Sequence, residues 1–328
     1  MRVEEFIAEW RNDGETMVVH TSGSTGEPKA LLVEKRRMEA SARITCRFLG
    51  LKRGDRALLC LPLDYIAGKM MVVRALTWGL QLASVEPDGH PLAHDIDADF
   101  AAMVPLQVWN SLQVPDERRR LAEIRQVIIG GGAIDDRLAS ELKHFPNAIW
   151  STYGMTETLS HIALRRLSGA DASDWYTPFE GVGLSLSEEG CLVIDAPAVC
   201  ESRLVTNDLA EISASGTFRI LGRKDNVVCS GGIKIQMEEV ERLLRPHLSS
   251  PYCITKCKDE KLGEAVVLLT EAADTTPLEA VCQQVLPRLW KPRLYFSIGR
   301  IPMTETGKTA RKEAERLASQ LHSEADHR

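Results

Sequence analysis

No run of apolar residues in this 328-residue sequence is long enough to cross a bilayer, a task that takes about 20 consecutive apolar residues in a helix. The start, Met1-Arg2-Val3-Glu4-Glu5-Phe6, has two early acids and no apolar stretch, which argues against a signal peptide and predicts a cytoplasmic protein. There is no basic excess either: 40 Lys and Arg stand against 46 Asp and Glu, interspersed, for a formal net charge of −6. Nothing in that pattern recommends nucleic acid or an anionic membrane as a partner. The eight cysteines are scattered, several inside apolar runs such as Ala57-Leu58-Leu59-Cys60-Leu61, as befits reduced core thiols. Cys253 and Cys257 form the one close pair, with no histidine or second pair nearby, so packing is favoured there over zinc.

What is present is a βαβ rhythm. Residues 34 to 50 have helical periodicity, Leu58 to Leu61 reads as a buried strand stopped by Pro62, and Lys69 to Gly79 as a core helix. Strands are predicted at Gln81 to Val85, Phe100 to Val104 and Val127 to Ile129, with helices at Arg118 to Ile124 and from about Asp135 to Lys143. Such alternation implies a mainly parallel sheet covered by helices. Beyond about residue 180 the elements become short alternating strands, among them Cys191 to Ile194, Leu209 to Ile212 and Thr217 to Leu221. The polar step Gly222-Arg223-Lys224-Asp225 marks a candidate boundary between a large α/β domain, residues 1–222, and a small α+β domain, residues 223–328.

Residues 20 to 29 read H-T-S-G-S-T-G-E-P-K, directly after the apolar Met17-Val18-Val19. Hydroxyls from Ser22, Ser24 and Thr25, turns allowed by Gly23 and Gly26, and the charge of Lys29 suit a phosphate cradle. The spacing differs from the P-loop pattern G-x-x-x-x-G-K-[ST]. Taken alone, the segment reads equally as a surface loop.

Four further blocks follow in order: Y-G-M-T-E-T at 153–158, T-N-D at 206–208, G-R-K-D-N-V-V-C-S-G-G-I-K-I-Q-M-E-E-V-E at 222–241 and P-M-T-E-T-G-K-T-A-R at 302–311. With the 20–29 loop, this set resembles the adenylate-forming superfamily of acyl-CoA synthetases, luciferases and peptide-synthetase adenylation domains, from about Thr16 to Arg311. Within it, the G-R-x-D-N and S-G-G pair, I-Q-x-E-E-V-E, V-P-L-Q-V-W at 104–109 and L-P-L-D-Y-I-A-G-K-M at 61–70 are most similar to the o-succinylbenzoate-CoA ligases of menaquinone biosynthesis.

The resemblance implies an acyl-CoA synthetase-like fold with a mobile C-terminal domain, and a ligase that uses ATP, Mg2+ and CoA. Thr21, Ser22, Gly23, Ser24, Thr25, Gly26 and Lys29 would hold the β- and γ-phosphates. Glu157, with Thr25, would hold magnesium, an ion that prefers hard oxygen ligands. Gly130, Gly131, Gly132 and Ala133 would line the adenine and acyl pocket, Tyr153 would lie near the base, and Gly154 and Thr156 belong to the same nucleotide-binding block. Asp208 and Arg223 would meet the ribose. Lys308 is the implied catalytic residue, its ammonium offsetting the charge as two anions approach. Asp225 would be the hinge, and Gly231 and Gly232 the CoA side. For the acyl group the candidates are Tyr65, Lys69 and His161, because a dianionic acid must keep one carboxylate bound while the other reacts, and a buried carboxylate needs a cation or several donors.

Plainer readings stand beside these. Glu157 could stabilise a helix start, Asp208 and Arg223 could be an ordinary surface ion pair, His161 could be a core histidine, and Arg165 and Arg166 read as a solvated strand edge. The family's long α/β subdomain before the phosphate loop is missing from this sequence, so the expected pocket is either more open or completed by a partner chain, with a homo-oligomer one possibility. Ala30 and T-N-D depart from the usual glycine and T-G-D, and Asp64-Tyr65 stands where relatives show an aromatic residue and a histidine. Two other readings remain: an adenylation enzyme serving another acid or a carrier-protein thiol, and a non-catalytic nucleotide-binding regulator.

Overall fold

The structure is a computed structural model that describes residues 1–20, 30–132, 134, 136–304 and 309–326. The elements are α1 (Val3–Trp10), β1 (Thr16–His20), β2 (Ala30–Glu34), α2 (Lys35–Phe48), β3 (Arg56–Leu59), α3 (Ile66–Trp78), β4 (Gln81–Ser84), β5 (Phe100–Met103), α4 (Pro105–Gln113), α5 (Pro115–Glu123), β6 (Gln126–Ile129), α6 (Asp136–Leu142), β7 (Ala148–Gly154), β8 (His161–Arg166) and β9 (Thr177–Pro178). They are followed by β10 (Gly183–Leu186), β11 (Cys191–Asp195), β12 (Leu204–Ile212), β13 (Phe218–Arg223), β14 (Val227–Ser230), β15 (Ile233–Gln236), α7 (Met237–Leu244), β16 (Tyr252–Asp259), β17 (Gly263–Thr270), α8 (Thr276–Val285), β18 (Leu294–Ser297) and α9 (Arg311–Asp326). The chain divides into two compact units: Met1–Ser185 with Val193–Leu204 and Ile212–Arg219, and Leu186–Leu192 with Val205–Glu211 and Ile220–Arg328.

The first unit holds the sheet β4-β3-β5-β6-β7-β8-β9, parallel from β4 to β7 and antiparallel from β7 to β9. The inner strands β3, β5 and β6 are short apolar runs buried almost throughout, which is why they read as continuous rather than alternating, whereas edge strand β4 is partly exposed and β7 alternates. Leu58, Ala101, Val127 and Ile149 meet Val108, Leu112, Leu121, Leu138 and Leu142 from the helices in one core. Each such leucine or valine contributes about 1.5–3 kcal/mol relative to exposure. Helix α2 buries Met38, Ala42, Thr45 and Cys46, the spacing of one helical face. Helix α3 is buried along most of its length and stops at Gly79 in the left-handed conformation, φ 74°.

In the second unit, β15-β14-β17-β16 form a sheet, with β18 parallel to β17. Strand alternation decides what covers each face. Ile254, Val266 and Leu268 pack with Val240 and Leu244 of α7 and Leu278 and Cys282 of α8. Cys253, Cys257, Val267 and Leu269 pack with Ala314 and Ala318 of α9. Burial pushes the Cys253 thiol up to about 12, so the close cysteine pair is part of an apolar core. Strands β10 to β13 form a further sheet in sequence order.

Candidate active site

Parallel strands present their carboxyl ends on one edge, where ligands bind in open α/β sheets. Here that edge carries the turns after β3, β5, β6 and β7. Gly130 leaves β6 so close to β7 that an added Cβ would lie 2.6 Å from Thr152 Oγ1, and Gly131 has φ +77°. Both positions therefore require glycine.

Beyond β7 the chain folds back sharply. A Cβ on Gly154 would lie 2.3 Å from the Ser160 carbonyl oxygen and 2.4 Å from His161 Cα. Thr156–Thr158 form a single 3-10 turn, with Thr158 Oγ1 accepting from Met155 N at 3.0 Å. Leu159 follows at φ 63°, the one non-glycine residue at positive φ among the described residues, a conformation that costs about 1–3 kcal/mol and collects at functional sites. The turn leaves Glu157 exposed, its carboxylate free of any protein partner among the described residues. Among the described residues no group of three or more His, Cys, Asp or Glu could hold a metal. Magnesium shared with nucleotide phosphates needs no such group, and a lone outward carboxylate suits it. Tyr153, just before the turn, packs its ring on Phe218 at 5.1 Å and Tyr176 at 5.8 Å.

The acyl-side expectations change most. Lys69 is buried at 3% exposure, and its Nζ donates to the Val18 carbonyl at 3.0 Å. That bond ties α3 to β1, the strand that precedes residues 21–29. His161 is the core histidine of the plainer reading: Nε2 lies 3.1 Å from Thr45 Oγ1, Nδ1 lies 3.1 Å from Ser160 Oγ, and the ring stands edge-on to Phe179. Burial, then the Arg74 charge, holds its pKa well below the usual histidine value. Both ring nitrogens are thus engaged by hydroxyls, the environment the plainer reading describes. Tyr65 stands half-buried at the N-cap of α3. Arg165 and Arg166 are not a solvated edge: Arg165 lies over Tyr176 at 5.4 Å and Arg166 over Trp150 at 4.9 Å, their guanidinium groups on aromatic faces.

The group missed from the sequence is Arg74. It is 2% exposed on α3, and its Nη2 donates to Ser160 Oγ at 2.8 Å while Nη1 lies 3.7 Å from Met71 Sδ. Its Nε has no partner, and no carboxylate among the described residues pairs with it. Burial pulls its pKa down to about 10, so it is still a cation at neutral pH. A buried cation without an anion is costly. Its signal was a charged residue closing the apolar run Met70-Met71-Val72-Val73.

In the second unit, Arg223 Nη1 donates to Asp208 Oδ1 at 3.0 Å and Nη2 to Asp225 Oδ2 at 2.9 Å. Burial opposes its charge, but those carboxylates raise its pKa overall. Asn207, the departure from glycine, donates to Asp225 Oδ2 at 3.0 Å. Gly231 and Gly232, at φ 58° and 82°, form the two-residue turn between β14 and β15, a geometry that needs positive φ at both positions. Thr21, Ser22, Gly23, Ser24, Thr25, Gly26, Lys29, Ala133 and Lys308 lie outside the described residues.

The fold is that of an acyl-CoA synthetase, and comparison with known proteins gives its class as an AMP-forming acyl-CoA ligase. A family model described as AMP-binding enzyme matches residues 6–201, and the chain belongs to that family. It is 33% identical to an acyl-CoA synthetase (AMP-forming)/AMP-acid ligase II-like protein from Dyadobacter fermentans, with TM-score 0.66 over 96% of this chain and 93% of that one. It is 23% identical to a 2-succinylbenzoate–CoA ligase of Bacillus mycoides, over 98% of this chain and 74% of that relative. The o-succinylbenzoate CoA synthetase of Bacillus subtilis, solved with its acyl-adenylate intermediate, shares the fold at TM-score 0.77 and 22% identity, over 90% of this chain and 68% of that one. No helix among the described residues is long and apolar enough to cross a membrane.

Proposed function

We propose that the protein is a cytoplasmic ATP-dependent acid–CoA ligase whose substrate is o-succinylbenzoate. The observation that carries the choice of a dicarboxylic acid is Arg74, a buried guanidinium with a free donor and no carboxylate partner among the described residues. A substrate with two carboxylates can leave one on that cation while the other reacts. Curated relatives at 22–29% identity, which carry the name 2-succinylbenzoate–CoA ligase, support the same acid.

In the first step the free substrate carboxylate attacks the α-phosphorus of ATP, a C–O–P bond forms, and pyrophosphate leaves. In the second, the CoA thiolate attacks the acyl carbon, forming C–S and releasing AMP. By the family resemblance, residues 21–26 and Lys29 would hold the outgoing phosphates, and Glu157 with Thr25 would hold magnesium, an ion that supplies charge neutralisation to the phosphates when bound. Gly130 to Ala133 and Tyr153 receive the adenine side, and Asp208 with Arg223 the ribose. Lys308 would offset the charge of the approaching anions, and Asp225 would be the hinge, with Gly231 and Gly232 on the CoA side, as the resemblance implies.

Incubation with ATP, magnesium, CoA and a panel of carboxylic acids, followed by AMP release, tests this reading. Release should be fastest with o-succinylbenzoate. Lys308→Ala should lower adenylate formation at least about a hundredfold with little change in ATP binding. ATP binding without AMP release for any acid would make the protein a nucleotide-binding regulator instead. Release that needs a carrier-protein thiol in place of CoA would change the acceptor.

A further inference from the structure

The two strands that flank residues 21–29 differ at their outer edges. In the β1–β2 ladder Thr16 stands opposite Glu34, Val18 opposite Leu32 and His20 opposite Ala30. The Lys35 N–H donates to the Glu15 carbonyl at 2.9 Å, one pair beyond the ladder. Hydrogen-bonded and non-hydrogen-bonded pairs alternate along antiparallel strands, so the pairs of Met17 with Val33 and Val19 with Leu31 exchange the interstrand bonds. The pairs between them turn their N–H and C=O groups outward. Val18 obeys this: its carbonyl points away from β2 and accepts from Lys69 Nζ at 3.0 Å. The outer edge of β1 is thus occupied by an ammonium group from α3. The outer edge of β2 is open, because β2 pairs with β1 alone and the outward groups of Leu32 have no partner among the described residues.

That open edge is apolar. Leu32 is 70% exposed and its cross-strand neighbour Val18 43%, whereas Met17, Val19 and Val33 are buried on the other face. Other sheet margins in the chain are guarded: Pro178 stands in β9, Lys234 in β15, and Lys256 and Lys258 in β16, residues that discourage a further strand. Strand β2 has neither proline nor lysine, and its one charged residue, Glu34, is tied to Arg36 at 2.6 Å and Arg37 at 2.9 Å.

The strand is also complementary to itself. Set antiparallel to a second β2 about a twofold axis at Leu32, the outward residues Ala30, Leu32 and Glu34 meet the partner's Glu34, the partner's Leu32 and the partner's Ala30. Every outward donor then finds an acceptor. A slip of one residue would set outward groups against inward ones, and a slip of two would leave an outward residue of each strand unmatched. No like charges fall opposite one another in this register, and leucine meets leucine at its centre.

We propose that the outer edge of β2 is a dimerisation surface, where a second copy of this chain adds its own β2 to make a continuous sheet in the order β1-β2-β2-β1. Main-chain hydrogen bonds supply the affinity, as in other strand additions, and the leucine contact fixes the register. The hairpin ends marked by His20 and Ala30 then lie at opposite ends of the shared sheet. Association there is independent of the acid that the protein activates.

Sedimentation of the full chain should give a dimer at micromolar concentration that dissociates on dilution. Leu32→Lys, a change at an exposed side chain, should weaken the dimer at least about tenfold with an unchanged circular dichroism spectrum. Val205→Lys, at a position on β12 that is 68% exposed, should leave the dimer intact. In a Cys229→Ser background, which removes the exposed thiol, Leu32→Cys should form an interchain disulfide on mild oxidation. Residue 32 meets its own counterpart at the separation of paired strands, about 5.5 Å between Cα atoms, within reach of a disulfide. Ala30→Cys, about 13 Å from its counterpart in this register, should not crosslink. A monomer at every concentration would overturn the proposal and leave the edge to a different polypeptide. A dimer indifferent to Leu32→Lys, or one crosslinked through Ala30→Cys and not through Leu32→Cys, would overturn it too.

Discussion

Two arginines, Arg74 buried and Arg311 partly buried, are held in opposite ways. Arg311, at the start of α9, is a closed pair: Nη1 and Nη2 each reach a Glu241 oxygen at 2.7 Å, and Nη1 also donates to the Ile254 carbonyl at 2.8 Å. Glu241 completes the circuit by accepting from Ile254 N at 2.8 Å. Arg74 has a serine hydroxyl and a thioether for partners and keeps one donor unused. Burial works against both charges, yet the Glu241 carboxylate carries the Arg311 pKa above the ordinary value whereas that of Arg74 falls. The same residue type thus has its counter-ion built in at Arg311, while at Arg74 no carboxylate among the described residues supplies one, and the proposed dicarboxylic substrate would.

Removing each cation should separate the two roles. Arg311→Met leaves the Glu241 side chain, 13% exposed, without its partner, a loss that typically costs 3–5 kcal/mol. Denaturant unfolding should show a drop on the order of 3–5 kcal/mol in the unit that contains α7 and α9. A change under about 1 kcal/mol would mean that the pair fastens little. Arg74→Met is the smaller perturbation of the fold, since it orphans no carboxylate and the replacement has similar volume. Stability should stay within about 1 kcal/mol of wild type or rise, while kcat/KM for o-succinylbenzoate falls roughly thirtyfold, the equivalent of about 2 kcal/mol for a charged hydrogen bond. If Arg74→Met unfolds the protein as readily as Arg311→Met does, the proposed substrate-binding role is lost and both arginines only hold the fold.

How far this contrast could be read beforehand depends on where partners sit along the chain. The parallel strands were legible because Leu58 to Cys60, Phe100 to Met103 and Val127 to Ile129 are unbroken apolar runs closed by proline or glycine. Arg311 stood inside a recognisable motif, although its partner Glu241 is distant. The ion pair of Asp208 and Arg223 was open to the eye as a cross-strand contact. Lys69 was not: its acceptor, the Val18 carbonyl, is 51 residues away, and no periodicity reports a backbone oxygen so far off. Arg165 and Arg166 looked solvated because charge at a strand end usually is, whereas here aromatic rings from β7 and the segment before β9 shelter them. Arg74 was passed over because a charge after an apolar run resembles a helix end, and only the tertiary fold shows that α3 continues, buried, around it.

The gentlest probe of the Arg74 surroundings is acid. His161 has a folded pKa well below its ordinary value because it is buried and faces the Arg74 charge, with the Cys46 thiol, itself raised to about 11 by burial, close to the same arginine. An unfolded histidine takes up a proton near pH 6.5. Above that pH neither state is protonated and His161 adds no pH dependence. Below it the unfolded chain gains a proton that the folded protein refuses, so stability falls as pH drops, by at most about 1.4 kcal/mol per unit, until the folded pKa is reached. His161→Gln removes this slope and leaves those of the carboxylates. The stability difference between wild type and His161→Gln should therefore be constant above pH 7 and shift against wild type between pH 6.5 and 5. A difference that is the same at pH 7 and pH 5 would show that the folded histidine accepts the proton, against the effect of its burial beside the Arg74 charge.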